Sequence, residues 1–298
     1  MPNTLRVGIN VLSSVSGCFV LSEPQYDPSV SAWLLPIELE IKGASDFVAK
    51  RTAWIIHISN AYPLGIVNFF PASESGLTTT FPHQERNTEY VPKRSWRSGK
   101  LCLDSPFRWA RLVQENREPL GEAELRLAWH AERALDWLTA AVRGDLLAPG
   151  DPFEIPKTPT SIEAASGRRL VHDESTLSYP LWEGRGGLGF AQFAELEGIS
   201  SSLIIESYSD LAKSVVRNWG DGRPVRQNVS SELVGFWWLW PGTIALPPWE
   251  SPSTWGDLRK IGQMLHVEVD RILRDIARRV RGKSAPAVLL LGYPIAQR

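Results

Sequence analysis

The clearest pattern along the chain is an alternation with period two. In Trp33 to Lys42, Ile37, Leu39 and Ile41 alternate with Glu38, Glu40 and Lys42. Successive strand side chains point to opposite faces, so this spacing predicts a half-buried β-strand. Two further apolar runs follow, Thr52 to Ser59 and Ile66 to Phe70. Between them lies Asn60-Ala61-Tyr62-Pro63-Leu64-Gly65, which is turn chemistry. Three strands on short turns predict an antiparallel meander. From Pro71 to Lys100 the pattern dissolves into charged and hydroxyl residues. A loop of that length in a compact domain is usually functional or mobile. From Leu120 to Arg143 the period changes. Ala128, Ala131, Leu135, Leu138 and Val142 are spaced by three and four, which is one helical face, and Gly144 supplies a stop. The stretch before Asp27 has no clean period.

The second half opens with strand-like pieces, Leu203-Ile204-Ile205 and Ser214-Val215-Val216, on either side of Asp210. Trp219-Gly220-Asp221-Gly222 is a turn signal, and Gly184 to Gly189 reads as a loop or hairpin. Phe236 to Trp240 is a compact aromatic run closed by Pro241-Gly242. A helix is predicted from about Gly256 to Arg281, with Leu258, Ile261, Leu265, Ile272, Ile276 and Val280 on one face. Arg271, Arg274, Arg278, Arg279 and Arg281 gather near its end, where cations suit the helix dipole. Ala285 to Tyr293 is continuously apolar and predicts a buried strand. The Pro/Thr/Ser seam at Pro156 to Ser161 divides the chain into domains 1–156 and 157–298. The expected class is α+β: an antiparallel meander with flanking helices, then a second α+β domain.

Composition narrows the function. The chain has 298 residues, enough for two domains, and a net charge of −1. Up to Pro156 it carries 15 basic and 18 acidic residues, and beyond it 17 and 15, so neither half has the basic field that nucleic acid requires. The longest apolar stretch, Leu233 to Leu246, is broken by Pro241 and Gly242, short of the ~18 residues of a membrane span. Neither nucleic acid nor membrane is an expected partner. Cys18 and Cys102 are too few for a disulfide scaffold or a structural zinc site, which points to a reducing cytoplasm. Val15-Ser16-Gly17-Cys18 has the outline of a lipoprotein cleavage box. Asn10, Ser13 and Ser14 make the segment before it too polar, so Cys18 reads as a small buried residue. His57, His83, His130, His172 and His266 form no zinc-hydrolase pair, and there is no phosphate-binding glycine loop. No metal and no cofactor is expected.

Chemistry concentrates at Gly99-Lys100-Leu101-Cys102-Leu103-Asp104. A cysteine follows a glycine turn, with Lys93, Arg94, Arg97, Lys100, Arg108 and Arg111 nearby in sequence. Positive neighbours favour thiolate over thiol, and a reachable thiolate is a nucleophile for acyl transfer. The competing reading is a structural cysteine between two core leucines.

This segment resembles the active-site motif of the ubiquitin-conjugating (E2) family, Gly-x-Ile/Leu-Cys-Leu-Asp. The Tyr62-Pro63 turn, Trp109 after the cysteine and the helix from Leu120 also follow that family's order, over about residues 25 to 156. The family's His-Pro-Asn is not matched. Its nearest counterpart runs from Phe81 to Asn87, with Pro82 before His83 and a longer spacing to the cysteine. The extended loop is similar to that of bacterial E2-like proteins. Those are encoded in operons with a ubiquitin-like protein, an E1-like adenylating enzyme and a JAB-type peptidase, several of them linked to phage defence. Residues 157–298 resemble the linker region that precedes an E1 adenylation domain in fused relatives. The resemblance implies a thioester carrier on Cys102. Asp104 would border the incoming amine, and His83 and Asn87 are candidates for loop support or oxyanion stabilisation. The implied partners are an E1-like adenylating enzyme, a ubiquitin-like protein and a target protein. The alternative is a catalytically silent E2-like scaffold that binds an E1 or a ubiquitin-like partner.

Overall fold

The computed structural model describes residues 1–90, 92–103, 117–147, 154–156, 169–171, 182, 187–196, 202–218, 225–228, 233–283 and 286–294. The chain divides into two compact units, one mainly Met1–Lys157, the other mainly Thr158–Leu246 and Ser251–Ile295. Both are α+β.

The first unit begins with α1 (Asn3–Leu12), where Leu5, Gly8 and Leu12 are buried at helical spacing. The strands follow: β1 (Cys18–Val20), β2 (Gln25–Asp27), β3 (Ala32–Glu40), β4 (Arg51–Ser59) and β5 (Val67–Pro71). They form one antiparallel sheet in the order β1-β3-β4-β5, with β2 also on β3. The expected meander is β3-β4-β5. Its alternation buries Leu35, Ile37 and Leu39 beside Trp54, Ile56, Ile58, Val67 and Phe69 on one face. The helix α2 (Arg126–Arg143) covers that face with Leu127, Ala131, Ala134 and Leu138. The other face, with Ile55 and Phe70, is covered in part by Tyr90 and Trp96.

Helix α2 starts six residues later than expected. Leu120 to Leu125 form turns, and Gly121 sits at φ +87°, where a helix cannot propagate. Its end is as expected, with Gly144 in the left-handed conformation at φ +74°. The buried stripe is also rotated. Ala128, Leu135 and Val142 are only half-buried, because the core-facing side includes Arg126, His130 and Arg133, which a hydropathy pattern assigns to solvent. Cys18 opens β1 and is buried, as expected.

The second unit contains β6 (Arg169–Val171), β7 (Gly187–Leu196), β8 (Ser202–Asp210), β9 (Val215–Asn218), β10 (Val225–Asn228), β11 (Val234–Leu239), α3 (Trp255–Met264), α4 (Val269–Val280) and β12 (Ala287–Gly292). The sheet order is β12-β11-β7-β8-β6, with β9 on β8 and β10 on β7. Two pairs, β11/β12 and β6/β8, are parallel. One face buries Leu188, Phe236 and Trp238 against Leu258 and Ile261 of α3 and Ile276 of α4. The other holds Phe193, Ile205, Tyr208 and Trp237, with Trp182 edge-on to Tyr208 and Trp237.

Three expectations change here. The single helix from Gly256 is two, broken at Leu265–Glu268, where His266 has φ +55°. The apolar pattern could not show the break. Leu265 and Ile272 are seven residues apart, close to two helical turns, so the period runs through it. Gly187 to Gly189 are strand rather than loop. Gly189 is needed for packing: a Cβ there would lie 2.3 Å from the Trp237 ring. β12 is a half-buried edge strand, not a buried one. Trp219 to Gly222 lie outside the described residues. Among the described residues no helix is long and apolar enough to cross a membrane.

Candidate active site around Cys102

The segment Trp96–Leu103 has almost no secondary structure of its own, so its backbone groups need partners from elsewhere. On one side it lies along β5. Ala72 and Trp96 form an antiparallel bridge, Arg97 N donates to Pro71 O at 2.8 Å, and Leu101 N donates to Phe69 O at 3.0 Å. On the other side it meets the loop after Phe81. Cys102 N donates to His83 O at 3.0 Å, Glu85 N to Lys100 O at 2.8 Å, and Ser98 N to Thr88 O at 2.9 Å. Leu101 and Leu103 are both buried in the core, at 4% exposure each. Cys102 between them is half-buried.

The two cysteines therefore differ. Cys18 is sealed in the core, and burial pushes its thiol up to about 12, so it stays protonated at neutral pH. Cys102 is the more accessible of the two.

Buried polar side chains fix this segment. Gln84 is 1% exposed; its Oε1 accepts from Phe81 N at 3.0 Å and its Nε2 donates to Gly99 O at 3.0 Å. Gly99 is tightly enclosed, since a Cβ there would lie 2.7 Å from Gln84 Nε2 and 2.8 Å from Asn87. Asn87 Nδ2 donates to Leu77 O at 2.8 Å and Thr79 O at 3.0 Å, and its Oδ1 accepts from Arg97 Nε at 2.8 Å. Both amide hydrogens are thus committed to the loop. His83 is buried, with Nε2 3.0 Å from Leu146 O and Nδ1 3.0 Å from Glu154 Oε2. Its backbone, at φ +58°, is the part that pairs with Cys102.

Helix α2 supplies a clamp from behind. Arg133 is 2% exposed, and its Nε and Nη2 donate to Leu103 O at 2.9 and 2.8 Å. Two turns earlier, Arg126 ties the helix to the Tyr-Pro turn. It donates to Pro63 O at 2.7 Å and to Gly65 O, while Tyr62 Oη donates to Ala123 O at 2.6 Å. Glu118 accepts from Arg126 Nε at 2.7 Å and lies 2.8 Å from His130 Nε2. The His130 hydrogen bond, with Arg126 beside it, lowers the Glu118 carboxyl to about 2.

The structure thus joins Cys102 to His83 through the backbone, and Asn87 to the same segment through Arg97. Asp104 and Trp109 lie outside the described residues. A wide groove of about 860 Å³ in this unit, lined by Phe19, Lys42, Lys50, Leu135 and Val142 among others, does not include Cys102. Sequence reasoning missed Arg133, Gln84 and the Arg126–Glu118–His130 cluster. A signal existed: Arg126, His130, Arg133 and Trp137 recur at spacings of four, three and four, a polar row beside the apolar one. Among the described residues no group of His, Cys, Asp and Glu is arranged to hold a metal ion.

Comparison with known proteins follows both halves of the chain. The ATP-dependent ubiquitin transferase-like protein Cap2 of Enterobacter hormaechei subsp. hoffmannii (strain UCI 50) is 28% identical over 272 residues, 88% of this chain. The match spans 44% of that relative's length, so this chain corresponds to less than half of it. The resemblance to bacterial proteins of ubiquitin-like conjugation is borne out by this relative. Residues 144–298 match the family model of the Cap2 central linker domain. That match takes in just over half of the sequence, and on it the chain belongs to the Cap2 central linker domain family.

Proposed function

We propose that the first unit is an E2-like carrier with the UBC-like fold, which accepts a ubiquitin-like protein as a thioester on Cys102. The incoming acyl group arrives on the cysteine of an E1-like adenylating enzyme. The Cys102 thiolate attacks that thioester carbonyl, and the E1 thiolate leaves. A target amine then attacks the new thioester, an amide bond forms, Cys102 leaves as thiolate, and the amine's proton passes to a base or to water. The carrier half-reaction needs no nucleotide, because the energy resides in the incoming thioester. Asp104 holds the family position beside the amine. His83 and Asn87 support the cysteine's loop, and the commitment of both Asn87 amide hydrogens to Leu77 and Thr79 speaks against oxyanion donation from that side chain. The partners are an E1-like enzyme, a ubiquitin-like protein and a target protein in the bacterial cytoplasm, and the setting is antiphage defence.

The observation that carries this reading is the contrast between the two thiols. Cys18 is sealed and protonated, while Cys102 is half-buried on a segment clamped at both flanks. The name of the Cap2 relative supports the same class of reaction. The test is incubation of the full chain with an E1-like enzyme, a ubiquitin-like protein and ATP. The expected product is a reductant-sensitive adduct that persists in Cys18→Ala and vanishes in Cys102→Ala. An adduct that survives Cys102→Ala sinks the site assignment. No adduct with any such partner leaves the silent scaffold as the better account.

A further inference from the structure

The second unit carries a surface that the carrier reading does not use. Its centre is β12, Ala-Val-Leu-Leu-Leu-Gly, at the end of the sheet. It pairs in parallel with β11 over six residues without a register shift, and among the described residues nothing pairs its other side. Val234 N donates to Pro286 O and Trp240 N to Gly292 O. That parity turns the N–H and C=O groups of Ala287, Leu289 and Leu291 to the open side. Natural edge strands are blunted by charge, proline or a bulge, and this one has none of them.

Next to the open edge is an apolar groove of about 340 Å³, lined by Phe236, Ala287 and Leu289 from the sheet, Ile276 and Val280 from α4, and Trp255 and Arg259 from α3. Trp255 is 54% exposed. The flank of the groove is cationic. Between Val269 and Lys283 there are six Arg or Lys side chains against two carboxylates. Asp270 is bound to Arg259 at 2.7 Å, and Asp275 lies 3.2 Å from Arg279. Arg274, Arg281 and Lys283 are exposed and have no carboxylate partner among the described residues. On the helical wheel Arg274 falls on the same side of α4 as Ala277, which lines the groove, and Arg281 caps the helix just beyond Val280.

We infer that this surface docks an extended, acidic segment of a partner protein, which adds as a strand to the open edge of β12. Alternate side chains of an added strand point to the groove side of the sheet, so an apolar residue enters beside Trp255 and neighbouring carboxylates meet Arg274 and Arg281. Exposed tryptophan and arginine around an apolar pocket is the composition of interface hot spots. Charge selects the occupant. A second copy paired edge to edge would bring two cationic α4 helices side by side, which is repulsive, whereas an acidic segment neutralises them.

The test pans a random dodecapeptide phage library on the full chain. Enriched peptides are expected to place apolar residues at alternate positions with Asp or Glu among them. A fluorescein-labelled synthetic copy of the most enriched peptide then reports binding by anisotropy. Affinity should fall at least tenfold in the double variant Arg274→Glu/Arg281→Glu and at least tenfold when alternate amides of the peptide are N-methylated. The N-methylated peptide leaves the protein untouched, so a variant that misfolds does not decide the outcome. The inference is overturned by absence of enrichment, by enriched peptides without acidic residues, by unchanged binding in a folded double variant, or by tolerance of N-methylation. Sedimentation showing a dimer that the same double variant dissolves would also overturn it, by making a second copy the occupant.

Discussion

The two units solve the problem of a buried backbone in different ways. Around the cysteine the first unit buries His83, Gln84, Asn87, Arg97, Arg126, His130 and Arg133, while the buried polar residues described in the second are Ser202, Ser207 and Ser251. In the second unit the strands inside the sheet satisfy one another's N–H and C=O groups, so the interior between sheet and helices can be nearly all aromatic and aliphatic. Trp238 packs against Trp240 at 4.5 Å, and Phe236 against Phe190 at 5.5 Å. The Trp96–Leu103 segment finds backbone partners on both sides only at irregular intervals, and side-chain donors complete it at Gly99 O and Leu103 O. A network of this kind specifies one loop conformation, because each missing partner leaves a buried group unsatisfied. An aliphatic core tolerates rearrangement better but specifies position less sharply. Under the proposed carrier role, a segment that presents one sulfur is better served by the first device.

The strongest way to test the contrast is to remove apolar volume where it dominates. Phe236 is 0% exposed at the centre of the second unit, so Phe236→Ala should cost about 3–5 kcal/mol. Chemical denaturation followed by tryptophan fluorescence measures it. A loss below about 1 kcal/mol would mean that this core is loosely packed. The next largest effect belongs to the clamp. Arg133→Met keeps the aliphatic stem and deletes both donors to Leu103 O, leaving a buried carbonyl unsatisfied at a cost of about 1–3 kcal/mol. Hydrogen exchange should rise at Leu101–Leu103 more than in β3 or β4. Equal exchange in variant and parent would break the comparison.

The effects of acid are spread over several pH units rather than felt at neutral pH, and their signs follow from two groups. Burial lowers His57 to about 4, below its ordinary 6.5, and among the described residues its Nε2, beside Trp96 and Phe70, has no hydrogen-bond partner. The unfolded chain takes up that proton first, so stability is full above about 6.5 and falls as pH drops toward 4. Glu118 is held at about 2 against an ordinary 4.5, so its contribution is present above 4.5 and is lost as pH falls toward 2. Melting temperature against pH should lose its upper slope in His57→Phe and its lower slope in Glu118→Gln. Profiles that superimpose on the parent's would show that neither group is linked to folding.

Much of this was legible because it rests on local periodicity. β3, β4 and β5 came from alternation and turn chemistry, Gly144 from helix-stop chemistry, and Cys102 from the flanking glycine, leucines and aspartate. What stayed hidden involves residues far apart in sequence. Arg133 reads as one more helix cation until Leu103, thirty residues earlier, is placed beneath it. The break at Leu265–Glu268 was masked by a seven-residue spacing that a continuous helix shares. The edge position of β12 depends on what pairs with its other side, which an apolar run does not encode.

The sequence by itself determined which residues form strands and helices and which cysteine sits in a conjugation-like motif, because side-chain period and turn residues act over a few positions. Only the tertiary structure decided that Cys18 is sealed and Cys102 accessible, that buried polar groups hold the cysteine's loop, and that, among the described residues, β12 ends its sheet beside an apolar groove with a cationic flank. Burial and hydrogen-bond satisfaction depend on which distant segments meet, and that is settled only when the whole chain has folded.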